Sequence, residues 1–319
     1  MGNHGGCPYA ASAPLPRPIS DLGSWLLALD VLASLPMTRD ELTGVAQAAA
    51  ATACFSTGAI LVRWAGELSP VEVTSLRMLL GAGFVGLAAW AAREPLRIPA
   101  SEWVRLIPIG LVAALHFLCF IASLSFTSVA HALTLTYTAP LFIAALSRLV
   151  LKEPLPRRTL PGSLVTLTGV AVLAGFEPRL DRGILWGDAL AVAAAACYAL
   201  YSLLGRRERA RLPLLTYAGG VYLVAGLVTS PFAAAFASSI HPARALAAVC
   251  AMALVPSALG HTLYNAAIRR LHPSIPNLIA TQEVTLGILL AWLLLGEPIT
   301  WNVAAGALLT LLGVGLVLW

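Results

Sequence analysis

The sequence predicts an all-α integral membrane protein with ten transmembrane helices in two inverted five-helix repeats. Its 319 residues are 59% hydrophobic and only 11% charged, with a mean hydropathy of +0.83, unlike a soluble globular domain. Apolar runs of about 18 to 23 residues recur along the chain, and each is long enough to cross a bilayer. A block ending in Glu-Pro occurs twice, which indicates an internal duplication.

The two copies of the block are APLFIAALSRLVLKEP, at 139–154, and EVTLGILLAWLLLGEP, at 283–298. Their glutamates, Glu153 and Glu297, are 144 positions apart. We therefore expect one five-helix repeat over 44–177 and a second over 183–319. Small residues recur downstream at the same offset: Gly162, Thr166 and Gly169 match Gly306, Thr310 and Gly313. The glycines of both sets, with Gly315, are predicted to be helix-packing positions.

The orientation of the spans follows from their number and from the basic residues. Because five is odd, tandem five-helix units must lie in opposite orientations in the membrane. If the amino end is cytoplasmic, fourteen basic residues fall on inside segments and four on outside segments. This bias predicts a cell (inner) membrane protein with both termini cytoplasmic. The predicted spans are 44–64, 70–92, 103–124, 127–150, 158–176, 184–205, 213–236, 245–268, 273–296 and 299–319.

Residues 1–43 precede the first predicted span. They begin with a Gly-, Pro- and Ser-rich stretch that does not resemble a signal peptide, and we expect them to be disordered or not translated. Met37 lies directly before a polar segment, so translation from Met37 is our hypothesis. The five cysteines have neither metal nor disulfide spacing, and we expect no cofactor and no metal.

The two Glu-Pro blocks, with Ser56-Thr57-Gly58-Ala59 in the first span and Ser75-Leu76-Arg77 in the second, resemble the EamA-type branch of the drug/metabolite transporter superfamily. The resemblance covers residues 44–319. It implies a secondary transporter that exports small metabolites such as amino acids, with alternating access around a midplane cavity between the repeats. The family's second block commonly begins Glu-Pro-Val, whereas this one begins Glu283-Val284, which leaves open whether the ninth span is kinked.

Among the ionisable residues inside predicted spans, Glu283 and Arg77 lie well away from the span ends, and a charge at the helix centre costs about 2.5 to 3.5 kcal/mol. Glu283, beside Gln282, lies near the middle of the ninth span. It could bind a proton or a substrate ammonium group; alternatively, it could pair with an arginine, or remain protonated, and hold helices together. Arg77 lies seven residues into the second span. For Arg77 a structural partner, Glu67 or Glu72, is favoured over contact with a solute.

Two histidines are predicted to face each other across the pseudo-twofold axis. His116 and His261 are 145 positions apart, nearly the repeat offset, and His261 shares a helix face with Tyr264 and Asn265. Such a pair could bind a carboxylate or relay protons. Equally, each histidine could be neutral and hydrogen-bonded to a neighbouring helix.

Tyrosines add a stackable wall to the predicted cavity. Tyr137 lies three residues before Pro140, which deprives a carbonyl of its helical donor and predicts a local opening of the fourth span. Tyr198 and Tyr201 lie on the sixth span, and with Tyr264 they suit a planar or apolar solute. Tyr217 and Tyr222 are instead predicted to belong to the interfacial aromatic belt.

The predicted function is therefore transport of a small molecule, with no catalytic residue. The predicted partners are the substrate and the lipid bilayer, with protons as a candidate coupling ion and no nucleic acid, and the protein is expected to be a monomer or homodimer. The alternative hypothesis is an intramembrane enzyme or lipid-handling protein that uses Glu283 and the histidines as acid and base. The predicted substrate-binding residues are His116, Tyr137, Tyr198, Tyr201, His261, Tyr264, Asn265, Gln282 and Glu283.

Overall fold

The structure, a computed structural model, describes residues 38–95, 97–150, 152, 159–175, 182–208, 211–268, 270–271, 276 and 279–318. Most of the amino-terminal extension, including Met37, and Glu153 of the first Glu-Pro block lie outside these residues. Within the described part, the regular elements are helices. They are α1 (Arg39–Ser56), α2 (Gly58–Trp64), α3 (Pro70–Ala91), α4 (Ala100–Ser123), α5 (Val129–Thr136), α6 (Ala139–Val150), α7 (Thr159–Gly175), α8 (Arg182–Glu208), α9 (Leu214–Ala235), α10 (Ala243–Met252), a π-helical segment (Ala253–Gly260), α11 (His261–Ile268), α12 (Glu283–Leu295) and α13 (Trp301–Leu318).

Capping residues fix where the first spans begin. The Thr38 side chain accepts a hydrogen bond from the Glu41 backbone, and the Glu41 carboxylate accepts one from the Thr38 backbone at 2.8 Å. Ser69 and Glu72 form the same reciprocal pair before α3, with Pro70 as its first helical residue. Such capping boxes satisfy backbone N–H groups that a helix start leaves without partners.

The chain is a multi-pass helical membrane protein. Six segments of the described residues are long and apolar enough to cross a membrane, and four further apolar helices are shorter, at 10–17 residues. The sequence-based count of ten spans therefore stays a prediction. The six longer segments are Arg39–Trp64, Pro70–Ala91, Ala100–Ser123, Arg182–Gly205, Leu214–Ala235 and Ala243–Tyr264, and the shorter ones are Val129–Ile143, Pro161–Val172, Glu283–Leu295 and Trp301–Leu316.

Helices α7 and α13 pack against each other through the repeated small residues. A Cβ atom added at Gly169 would lie 2.8 Å from the carbonyl oxygen of Gly306, and one added at Gly313 would lie 2.7 Å from that of Gly162. Each member of the first contact is 144 positions from its counterpart in the second. The contact is thus reciprocal, and the prediction that these glycines allow close helix packing is confirmed.

Contacts between loops define two ends of the helix bundle. At one end, which we call the Glu297 end, the Arg63 guanidinium donates to the Glu297 carboxylate at 3.0 Å and to the Thr127 carbonyl at 2.9 Å. At the other, which we call the Asp40 end, Arg270 donates to Asp40 at 3.0 Å. Because α1 and α2 run from Asp40 to Arg63, these two contacts lie at opposite ends of the first span.

Candidate functional site

A cavity of about 200 Å³ is lined by residues from both predicted repeats. Ten of its lining residues are aromatic, two of them histidines, and the lining also includes one basic and one acidic side chain. Such a mixture of apolar walls and a few polar groups is typical of small-molecule sites. The charged and aromatic lining residues are Arg77, Glu283, His116, His261, Phe55, Phe117, Phe120, Tyr137, Tyr198, Tyr201, Tyr222 and Tyr264.

Four helix irregularities border this cavity. Thr57 separates α1 from α2, residues 137–138 separate α5 from α6, the π-helical segment interrupts the eighth span, and residues 281–282 precede α12. Residues at or beside each irregularity line the cavity, among them Gly58, Pro140, Pro256 and Thr281. Irregular backbone at membrane depth is tolerated where it is buried in protein or lines a cavity, and π-helical turns are frequent at functional sites.

The ninth span is interrupted although it lacks the family's proline. The Thr138 N–H bonds to the Leu135 carbonyl, and 144 positions later the Gln282 N–H bonds to the Ile279 carbonyl. Val284 occupies the position equivalent to Pro140, and its N–H reaches back only three residues, to Thr281, at 3.2 Å. The question that the sequence left open is thus answered: the break occurs in both halves, with proline in only one.

Glu283 is the first residue of α12, where the helix dipole favours a negative charge. The Tyr137 hydroxyl donates to its Oε2 at 2.5 Å. Tyr137 directly follows α5 at the first break, and Glu283 directly follows the second break, so this hydrogen bond joins the two halves of the chain at these two interruptions. Both side chains face the cavity.

The prediction that Arg77 pairs with Glu67 or Glu72 is wrong. Arg77 is buried, with 5% of its surface exposed, and lines the cavity. Its Nε donates to the Ser257 hydroxyl at 3.0 Å, and its guanidinium lies 4.6 Å from the centre of the Phe117 ring. A pair at i−5 fails because residues five apart on a helix do not share a face.

Glu72 instead forms hydrogen bonds at the Glu297 end of the bundle. One of its carboxylate oxygens accepts hydrogen bonds from the Ser69 and Ser238 backbone, at 2.8 and 3.0 Å, and the other lies 2.9 Å from a ring nitrogen of His241. These partners join the loop before α3 to the loop after α9. Both carboxylate oxygens of Glu72 are therefore bound to these partners and not to Arg77.

The two predicted histidines both line the cavity, each within an aromatic cluster. His116 Nδ1 lies 2.9 Å from the Ala194 carbonyl oxygen, and its ring centroid is 5.3 Å from that of Tyr198. His261 packs against Phe55, with ring centroids 4.9 Å apart. The hydrogen bond to Ala194 matches the structural alternative for His116, in which the ring is held by a neighbouring helix.

The prediction that Tyr217 and Tyr222 belong to the interfacial belt is wrong. Tyr217 is 2% exposed and Tyr222 is 5% exposed, and Tyr222 lines the cavity beside His261. Hydropathy does not distinguish these positions, because a tyrosine suits both a headgroup layer and a polar cavity.

Seven of the nine predicted substrate-binding residues line the cavity. Gln282 does not; its amide oxygen accepts a 3.5 Å hydrogen bond from Thr285. The Asn265 side chain lies outside the described part of the structure. Among the charged and aromatic lining residues, the sequence missed Arg77, Phe55, Phe117, Phe120 and Tyr222, although the position of Arg77 deep in a span was a usable signal.

His131 belongs to a polar cluster separate from the cavity. Its Nδ1 lies 3.2 Å from both carboxylate oxygens of Asp188, and Asp188 also accepts a hydrogen bond from the Thr127 hydroxyl at 2.8 Å. Thr127 in turn contacts Arg63 through its carbonyl oxygen. The cluster connects the start of α8 to the Glu297 end.

Comparison with known proteins decides the family. The sequence profile of the EamA-like transporter family matches residues 42–175 and again residues 185–319. The chain belongs to the EamA-like transporter family. Its role is therefore membrane transport, and the expected resemblance is confirmed.

Curated relatives of this family member are transporters by name. It is 27% identical over 219 residues to the uncharacterized transporter YyaM of Bacillus subtilis (strain 168), covering 66% of this chain and 72% of YyaM. It is 28% identical over 232 residues to the threonine/homoserine exporter RhtA of Salmonella typhimurium (strain LT2), covering 72% of this chain and 75% of RhtA. A solved crystal structure shares the fold, with a TM-score of 0.64 at 24% identity over 86% of this chain and 95% of the other.

Proposed function

We propose that the chain is a secondary transporter that exports small amphipathic metabolites, amino acids first among them, by alternating access around the cavity. The observation that carries the proposal is the hydrogen bond from Tyr137 to Glu283, which joins the two halves inside a cavity bordered by four helix irregularities. Discontinuous helices around a site between repeats are a common arrangement in secondary transporters.

The choice of amino acids rests on two kinds of support. Aromatic walls favour solutes with a planar or apolar part, and one positive and one negative group offer partners to a polar part. RhtA, which shares 28% identity with this chain, is named a threonine/homoserine exporter. The same cavity could carry protons through Glu283, which makes proton coupling part of the proposal.

The proposed arrangement has ten spans in two inverted five-helix repeats, 44–177 and 183–319, with both termini cytoplasmic in the inner membrane. The reciprocal contact of α7 with α13 and the equivalent breaks before α6 and α12 support a two-repeat scaffold. The excess of basic residues on alternate loops supports the orientation.

The direct test is flux through the purified protein in liposomes. Vesicles are loaded with an unlabelled amino acid, and exchange with the external labelled form is followed for phenylalanine, threonine, a nucleoside and a polyamine. We expect exchange above that of empty vesicles for at least one amino acid. Exchange limited to the nucleoside or the polyamine would contradict the amino-acid assignment. If none of the probes is exchanged, the proposal that this chain transports solutes on its own is contradicted.

A further inference from the structure

Arg77 has hydrogen-bonding capacity directed at the cavity. Guanidinium carries five N–H donors, and the Nε–H is used by Ser257. No described residue accepts a hydrogen bond from the two terminal nitrogens of Arg77, although only 5% of the Arg77 surface is exposed. A buried cation with unused donors on a cavity wall is complementary to an anionic group on a ligand.

The orientation of Arg77 is fixed from two sides. The Ser257 hydroxyl donates to the Met252 carbonyl at 3.1 Å, so its lone pairs remain for the Arg77 Nε–H. Met252 directly precedes the π-helical segment and Ser257 lies within it, so this hydroxyl bonds back five residues along the chain. The Phe117 ring lies against the guanidinium, so the group is held without an acidic partner.

The Glu283 carboxyl group also has an oxygen without a hydrogen-bond partner among the described residues. Glu283 Oε2 accepts from Tyr137, and in the described part of the chain Oε1 has no hydrogen-bond donor. Arg77 and Glu283 line the same cavity, yet among the described residues no ion pair joins the two. The cavity thus presents one basic and one acidic group, not paired with each other, between aromatic side chains.

We propose that Arg77 binds the carboxylate and Glu283 the ammonium group of one zwitterionic solute, so that the cavity selects α-amino acids over amines and over carboxylic acids. A zwitterion satisfies the spare donors and the spare acceptor together, whereas a singly charged analogue leaves one buried charge unpaired. This inference deepens the proposed function and rests on it for the claim that binding leads to transport.

The test compares a ligand with its singly charged analogues on the purified protein in detergent. The probes are L-phenylalanine, L-phenylalaninamide, which lacks the carboxylate, and 3-phenylpropionate, which lacks the ammonium group. L-threonine and L-threoninamide repeat the comparison with a small side chain. Binding is measured by isothermal titration calorimetry, and we expect at least one zwitterion to bind about tenfold or more tightly than its analogues.

Two variants assign the groups. Arg77→Gln should reduce the preference for phenylalanine over its amide to within about twofold while the preference over 3-phenylpropionate persists, and Glu283→Gln should do the reverse. Ser257→Ala, which frees the Arg77 Nε, should weaken phenylalanine binding and leave phenylalaninamide binding unchanged. Arg105→Gln is the matched control, because Arg105 pairs with Glu102 outside the cavity.

The inference is overturned if wild-type protein binds an amide or the acid as tightly as the zwitterion, or if neither zwitterion binds. It is also overturned if a folded Arg77→Gln protein keeps the full preference over the amide. The comparison of ligands on the wild-type protein needs no variant, so it tests the inference even if Arg77→Gln misfolds. Liposome exchange separates the two proposals. If zwitterions bind but are not exchanged, the proposed transport is contradicted and the binding assignment stands. If amides are exchanged as fast as zwitterions, the proposed selectivity is contradicted and transport stands.

Discussion

At the scale of single residues, the hydrogen bond between Tyr137 and Glu283 predicts how replacements at 283 differ. In Glu283→Gln the amide oxygen still accepts from Tyr137, so we expect the melting temperature in detergent to change little. Glu283→Leu leaves the buried hydroxyl without its acceptor and should cost about 1 to 3 kcal/mol. Thermal unfolding followed by intrinsic fluorescence measures both. Equal melting temperatures for Gln and Leu would show that this hydrogen bond contributes nothing to stability.

Proton coupling is a second prediction for Glu283. If this carboxylate carries the coupled proton, Glu283→Gln should abolish the change in lumenal pH that accompanies amino-acid flux into liposomes. A pH-sensitive dye inside the vesicles reports the proton movement. His116 and His261 line the same cavity, so His116→Gln and His261→Gln serve as matched controls. Proton movement that persists in Glu283→Gln and disappears in a histidine variant would assign coupling to that histidine.

Residue types predicted much of the cavity lining but not its arginine. The cost of burying ions singled out Glu283, and the histidine spacing and tyrosine clusters found six more lining residues. Arg77 was assigned to a nearby acid because the serine and phenylalanine that hold it lie 180 and 40 positions away. Such contacts depend on how helices pack, which one sequence does not specify.

At the scale of elements, the break before α12 predicts tolerance of proline at 284. The Val284 N–H makes a single 3.2 Å bond to Thr281, so Val284→Pro removes one hydrogen bond and should cost about 1 kcal/mol. Ile288→Pro, one turn later in the same helix, should cost about 3 kcal/mol or more. Melting temperatures and flux compare the two variants. If both variants are destabilised equally, residue 284 behaves as part of a helix interior, and the break before α12 is contradicted.

The reciprocal contact of α7 with α13 predicts equal costs at its two glycines. Gly169→Ala and Gly313→Ala each force a Cβ atom into the backbone of the facing helix, and overpacking of this kind costs about 1 to 3 kcal/mol. Gly86→Ala in α3 is the matched control, because a Cβ atom there meets nothing within 4 Å. Alanine also favours the helix at that position. A Gly86→Ala protein as unstable as the other two would rule out steric contact as the cause.

Helix boundaries were predictable where a local signal marks them. Proline at 140 predicted the break after α5, and the capping pairs Thr38 with Glu41 and Ser69 with Glu72 explain two helix starts. Thr57 and residues 281–282 carry no proline, so the sequence did not predict the breaks there. Pro256 lies within the π-helical segment and is a local signal of the same kind as Pro140.

At the scale of the whole molecule, one ion pair ties the first span to the loop after α12. Arg63 and Glu297 are about four-fifths buried or more, with side chains 18% and 13% exposed, and Glu297 also accepts from the Val129 N–H at 2.9 Å. Removing one partner leaves a partly buried charge unpaired, so Glu297→Gln should lower the melting temperature more than Asp40→Asn. Asp40 is 71% exposed in its pair with Arg270, where an ion pair contributes little.

The two ends of the bundle allow the orientation to be tested in two independent steps. In a variant without native cysteines, single cysteines replace Glu67 and Thr300, near the Glu297 end, and Arg97 and Arg211, near the other end; all four positions are exposed. The contacts of Arg63 with Glu297 require positions 67 and 300 to share one side of the membrane. The count of basic residues predicts which side it is, the outside.

A membrane-impermeant maleimide applied to intact spheroplasts should therefore label positions 67 and 300. Positions 97 and 211 should react only after permeabilisation. Labelling of 97 and 211 alone would reverse the orientation and leave the fold intact, because the helix contacts are the same in either direction. Labelling of 67 without 300 would instead contradict the fold, since no single orientation can separate two loops that are joined by an ion pair.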